Sequence, residues 1–135
     1  MTIPAAGTDT PSILIVDGDI ISRHVIADYL RHCEYFVVEA ANTDEALVAL
    51  NEPSLSIDVI LCDISALGAK SGFELATWVR DNRPELEVKL ASGEEVAVQT
   101  AADLCENGPR LARPYQPEGV VEYIKRLRAS RKTPA

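Results

Sequence analysis

Long apolar runs are missing from this chain. None exceeds about five residues, far short of the roughly 20 that a membrane-spanning helix needs. Basic residues are also scarce, with 13 Lys and Arg against 21 Asp and Glu and a net charge of −8. That balance argues against nucleic-acid binding by bulk charge. It favours metal, basic or protein partners. Residues 1–11 contain no basic residue and no apolar stretch, so no signal peptide is expected there. Cysteines are few, and Cys33, Cys62 and Cys105 follow no paired spacing. The expectation is three reduced core thiols in a cytoplasmic protein with no membrane partner. There are no internal repeats and no sign of a second domain.

What is present is a core-forming composition, 47% hydrophobic over 135 residues, enough for one domain. The chain reads as a loose arm over 1–11, a folded domain over 12–130 and a tail over 131–135. Strands are expected at 12–16, 36–40, 59–62 and 88–91, with a short fifth at Leu111-Ala112. Helical spacing covers 20–33, where Ile21, Val25, Ile26, Tyr29, Leu30 and Cys33 recur. Asn42 and Glu45 form a candidate capping box before a helix ending at Asn51 and Pro53. Ser71 and Glu74 form another before a helix running to about Asn82. A weakly amphipathic helix follows over 94–105, and Pro117 opens the last helix. Strands alternating with helices predict a parallel sheet covered on both faces. Right-handed crossovers narrow the topology to a flavodoxin-like α/β three-layer sandwich, with five parallel strands in the order 2-1-3-4-5 and five helices.

Two of these strands end in carboxylates. Ile13-Leu14-Ile15-Val16 runs into Asp17-Gly18-Asp19, and Val59-Ile60-Leu61-Cys62 runs into Asp63. In an open α/β sheet that end is where ligands bind, and in this order strands 1 and 3 are neighbours. Carboxylates that close need a cation or a proton to be tolerated.

These residues resemble the receiver domain of two-component response regulators. The resemblance covers about 13–127. It rests on Ile-Leu-Ile-Val-Asp17, Asp58-Val-Ile-Leu-Cys-Asp63, Ser71-Gly72-Phe73-Glu74-Leu75, Leu90-Ala91-Ser92-Gly93 and Arg113-Pro114-Tyr115, in order and at the right intervals. It implies that Asp63 accepts a phosphoryl group from a histidine kinase or a phosphotransfer protein. It further implies that Asp17, Asp63 and the backbone carbonyl of Ser65 hold Mg²⁺, that Ser92 contacts the phosphoryl group, and that Arg113 stands where the family has a lysine. Oxygen ligands suit Mg²⁺. A cation and a hydroxyl beside the phosphoryl oxygens suit the charge of the transition state. Signalling would then pass through helix 4, strand 5 and helix 5 to a protein effector, with a homodimer allowed. No nucleic acid would bind this chain. Its only chemistry would be phosphorylation and dephosphorylation of Asp63 itself.

Four departures from the family pattern stand out. Gly18 replaces the usual second acidic residue, so Mg²⁺ binding is expected to be weaker than in a typical receiver. Asp19 is the candidate replacement, although its ordinary role as the N-cap of the first helix is the preferred reading. Arg113 is a planar fork where the family has a point charge. Arg110 falls at the usual aromatic switch position, three residues earlier. The loop from Asp63 to Gly72 is one residue longer than is common, with Gly68 as the extra residue. A more mobile loop is expected there. His24 and His32 read as solvated, and Cys62 as strand core. The alternative is a degenerate receiver that works as a phosphorylation-independent binding module. A more remote one is a haloacid-dehalogenase-like phosphatase using Asp17, but it would need a later acidic pair that the chain lacks.

Overall fold

The computed structural model describes residues 10–108 and 116–132. The chain forms β1 (Ser12–Val16), α1 (Ile20–His32), β2 (Phe36–Ala40), α2 (Thr43–Leu50), β3 (Val59–Asp63), α3 (Gly72–Asn82), β4 (Glu87–Ala91), α4 (Glu94–Glu106) and α5 (Pro117–Lys132). Among the described residues the sheet has four parallel strands in the order β2-β1-β3-β4. The order therefore follows 2-1-3-4. The fifth strand expected at Leu111-Ala112 lies outside the described residues.

The central strands are aliphatic along their length because both faces are covered. All five residues of β1 are buried. Ile13 and Ile15 face one core with α1, α4 and α5, while Leu14 and Val16 face the other with α2 and α3. α5 is anchored in the first core by Val120 and Ile124.

Two features depart from a full 2-1-3-4-5 arrangement. Successive right-handed crossovers towards a fifth strand would place α4 on the side of α2 and α3. Here α4 packs with α1 instead, through Ala97, Val98, Ala101 and Ala102. α5 runs antiparallel to both. Its Arg128 meets Asp19 and Glu94 at the N-terminal ends of α1 and α4, whereas Gly119 and Tyr123 share a groove with Asp28 and His32 near the end of α1.

The cysteine expectation is overturned. Cys33 and Cys105 form a disulfide, with Cα atoms 5.5 Å apart. Cys33 caps α1 and Cys105 lies in the last turn of α4. The two helices converge in one core, a meeting that a sequence separation of 72 does not announce. Tyr35 reinforces the junction by donating its hydroxyl to the Leu104 carbonyl at 2.6 Å. Cys62 is a free thiol buried in β3, as expected.

Candidate phosphoryl-acceptor pocket

The pocket begins with register. Val16 on β1 pairs with Cys62 on β3, and Asp63 pairs with Ala91 on β4. The next residues along β1 and β4 are Asp17 and Ser92. Asp17, Asp63 and Ser92 are therefore gathered at the C-terminal ends of three adjacent strands. The Ile64 amide extends the β3–β4 ladder by donating to the Ala91 carbonyl at 3.0 Å.

Asp17 is buried, and its Oδ1 accepts the Asp19 amide at 2.9 Å. Its carboxyl is pushed up to about 6, first by burial and then by the charges of Asp63 and Asp19, against the opposing pull of the Asp19 amide. Asp63 is half-buried. Its Oδ1 accepts the Ser65 amide at 3.2 Å, and Oδ2 has no hydrogen-bond donor among the described residues. Cys62 lies behind the pair. Burial and then the two carboxylates push its thiol up to about 12, so it stays protonated. Ser92 is exposed and precedes Gly93, whose φ of 135° turns the chain into α4.

Asp19 is occupied elsewhere. Its Oδ1 accepts the Ile21 amide at 3.0 Å, which makes it the N-cap of α1. Its Oδ2 pairs with Arg128 and accepts Ser22 Oγ at 3.3 Å. Partial burial pushes the Asp19 carboxyl up, but the Ile21 amide and the Arg128 guanidinium outweigh it and hold it below the ordinary value. Arg113 and Arg110 lie outside the described residues.

The residues present fit Mg²⁺ in its sparing mode of protein coordination. Two carboxylates side by side repel, as the raised Asp17 carboxyl reports, and an all-oxygen set with few protein ligands suits this ion. Among the described residues no group of three or more His, Cys, Asp or Glu side chains is placed to hold a metal.

The loop after Asp63 is tied down. The Leu67 carbonyl accepts the Thr43 amide at 2.8 Å, Thr43 Oγ1 donates to the Lys70 carbonyl at 2.6 Å, and the Ala69 amide reaches Asp44 at 3.3 Å. Gly68 has φ 133°, and a Cβ there would sit 2.1 Å from Thr43 Oγ1. The loop thus docks on the start of α2. Beneath the pocket, a Cβ at Gly72 would come within 3.0 Å of the Asp63 carbonyl.

Other residues around the pocket carried no sequence signal. Arg23 donates to the Asp17 carbonyl at 3.0 Å and pairs with Glu39 at 3.1 Å. Arg128 joins Asp19 to Glu94. Both look like ordinary surface arginines in the sequence. His24 is exposed and pairs with Asp28 and Glu39, and His32 bonds the Asp28 carbonyl. The α3 capping box forms as expected. At α2, Asn42 caps the Glu45 amide as expected, but Glu45 reaches back to the amide of Ala41 rather than that of Asn42.

Residues 13–125 match the family model for the response regulator receiver domain. The transcriptional regulatory protein ResD of Bacillus subtilis is 29% identical over 120 residues, covering 89% of this chain and 49% of that protein. The two-component response regulator-like protein PRR37 of rice is 34% identical over 73 residues, covering 54% of this chain and 10% of the relative. The chain thus spans about half or less of the length of these curated relatives. A CheY-like receiver domain from Methanospirillum hungatei superposes with a TM-score of 0.59 at 24% identity, covering 87% of this chain and 93% of that one. The chemotaxis regulator CheY4 of Vibrio cholerae gives 0.56 at 22%, covering 87% and 98%. At those identities the likeness shows the fold.

Proposed function

Because the chain belongs to the response regulator receiver family, we propose that it accepts a phosphoryl group on Asp63 and passes the signal on through protein contacts. The observation that carries this reading is the meeting of Asp17, Asp63 and Ser92 at three adjacent strand ends. Asp63 is the nucleophile by this reading, since it is the more open carboxylate and one of its oxygens is free of donors among the described residues. That oxygen forms a bond to phosphorus while the bond from phosphorus to the donor nitrogen breaks, and the electron pair leaves with the imidazole of a phosphohistidine. Asp17, Asp63 and the Ser65 carbonyl would hold Mg²⁺. When bound, the ion neutralises the repulsion between carboxylate and phosphoryl group. Ser92 Oγ donates to a phosphoryl oxygen. Arg113, which lies outside the described residues, is the residue that the family pattern assigns as the cation for the phosphoryl oxygens. The donor is a histidine kinase or phosphotransfer protein, the location is cytoplasmic, and the effector docks on the expected face of helix 4, strand 5 and helix 5, of which α4 and α5 lie among the described residues.

A second reading has one specific observation behind it. Asp19, the carboxylate expected to make up for Gly18, is engaged by Ile21 and Arg128. A chain built this way would serve as a binding module without phosphorylation. Incubation with Mg²⁺ and acetyl phosphate, followed by intact mass, separates the two. The first reading expects one added phosphoryl group that requires Mg²⁺, and the second expects none.

A further inference from the structure

Arg128 lies on the last helix, yet its guanidinium ends at the acidic loop after β1. One nitrogen, Nη2, pairs with Asp19 Oδ2 and donates to Ser22 Oγ at 2.8 Å. The other, Nη1, donates to Glu94 Oε1 at 2.7 Å. Glu94 Oε2 is buried and has no hydrogen-bond partner among the described residues. Among those residues Arg128 is the cation that compensates Glu94, and this fixes the guanidinium from the far side. Asp19 is fixed equally well, with Oδ1 on the Ile21 amide and Oδ2 on Arg128.

The position matters because Asp19 directly follows Gly18, where the expected carboxylate is missing. Gly18 itself is open, and a Cβ there would meet nothing nearer than the Ala41 carbonyl at 3.5 Å. Asp19 is the nearest carboxylate in the chain that could make up the loss. A divalent cation and a guanidinium cannot both take Asp19 Oδ2, and drawing Asp19 towards Asp17 would strip Arg128 of one of its two anions.

We infer that Arg128 is a positioning residue for the metal pocket: its guanidinium holds Asp19 against α5 and keeps that carboxylate from binding the divalent cation. The inference rests on the receiver reading for the identity of the cation. It makes weak metal binding a consequence of two features, the missing carboxylate at Gly18 and the sequestered one at Asp19. It also ties metal occupancy to the seating of α5, since a pull on Asp19 is a pull on Arg128.

The test is a calorimetric titration of the full chain with MgCl₂. Arg128→Met keeps the apolar stem and removes the charge, and Asp19→Asn preserves the N-cap, since Asn and Asp cap about equally well. Arg128→Met should bind Mg²⁺ at least about threefold more tightly than wild type. Asp19→Asn alone should change the affinity by less than about twofold, because its charge is already spent on Arg128. The double variant Asp19→Asn/Arg128→Met should return to the wild-type value. An unchanged affinity in Arg128→Met overturns the inference. So does a gain that persists in the double variant, which would mean that the lost positive charge acts without Asp19. Arg128→Gln repeats the comparison if the methionine variant fails to fold. No Mg²⁺ uptake by wild type or any variant would bring down the metal assignment itself, an outcome distinct from an affinity that Arg128 does not control.

Discussion

Asp17 and Asp63 leave adjacent parallel strands side by side. Burial, and then the charge of Asp63, lifts the Asp17 carboxyl to about 6. Ionising Asp17 is therefore unfavourable, chiefly through burial and further through the charge of Asp63. A cation, a proton or an amide in place of one partner relieves the penalty.

The first prediction follows from the sign of that shift. The folded carboxyl titrates near 6 and the ordinary value is 3.8. Between those values the native state holds more protons than the unfolded one, so the Asp17 contribution to stability falls as pH rises from about 4 to 6. Below 4 both states are protonated and the penalty vanishes. Asp17→Asn removes it without changing shape. In metal-free buffer, denaturant unfolding at pH 7 should show the variant more stable by about 1–3 kcal/mol, and near pH 4 the two curves should converge. Equal stability at pH 7 contradicts the raised carboxyl.

A second prediction concerns Gly18. The backbone there is not in the left-handed region, and a Cβ meets only ordinary contact with the Ala41 carbonyl. Gly18→Asp should fold normally and bind Mg²⁺ about tenfold more tightly, since one added carboxylate beside a divalent ion is worth on the order of a kcal/mol or more even in a high effective dielectric. Calorimetry reads this directly. An affinity equal to wild type would show that Gly18 does not face the metal.

The disulfide gives a third. Alkylation in denaturant without reductant should label one cysteine, Cys62, and with reductant three. Cys33→Ser with Cys105→Ser should lower stability by about 2–4 kcal/mol, because the bridge closes a long loop in the unfolded chain. Three labelled thiols without reductant would exclude the bond.

The strands of the pocket were legible because they are buried on both faces. Ile13-Leu14-Ile15-Val16 and Val59-Ile60-Leu61-Cys62 leave no polar position to confuse the reading, and the aspartate after each marks the strand end. The Cys33–Cys105 bond was not legible, because pairing depends on where α1 and α4 converge, which no spacing encodes. Arg128 was hidden for the same reason. On the sequence it is one of several basic residues in a helix near the tail, and only the antiparallel seating of α5 carries it to Asp19. The contacts of the loop beyond Asp63 were not legible either, since only the fold brings Thr43 and Asp44 to it.

The most direct measurement is phosphoryl transfer to Asp63. Wild type, Asp63→Asn and Asp17→Asn are incubated with acetyl phosphate and Mg²⁺, and the adduct is located by peptide mass. The account predicts a single Mg²⁺-dependent phosphoryl group on Asp63 in the wild type, none in Asp63→Asn and a reduced yield in Asp17→Asn. No adduct on the wild type at saturating donor and metal, or an adduct on Asp17, would contradict it.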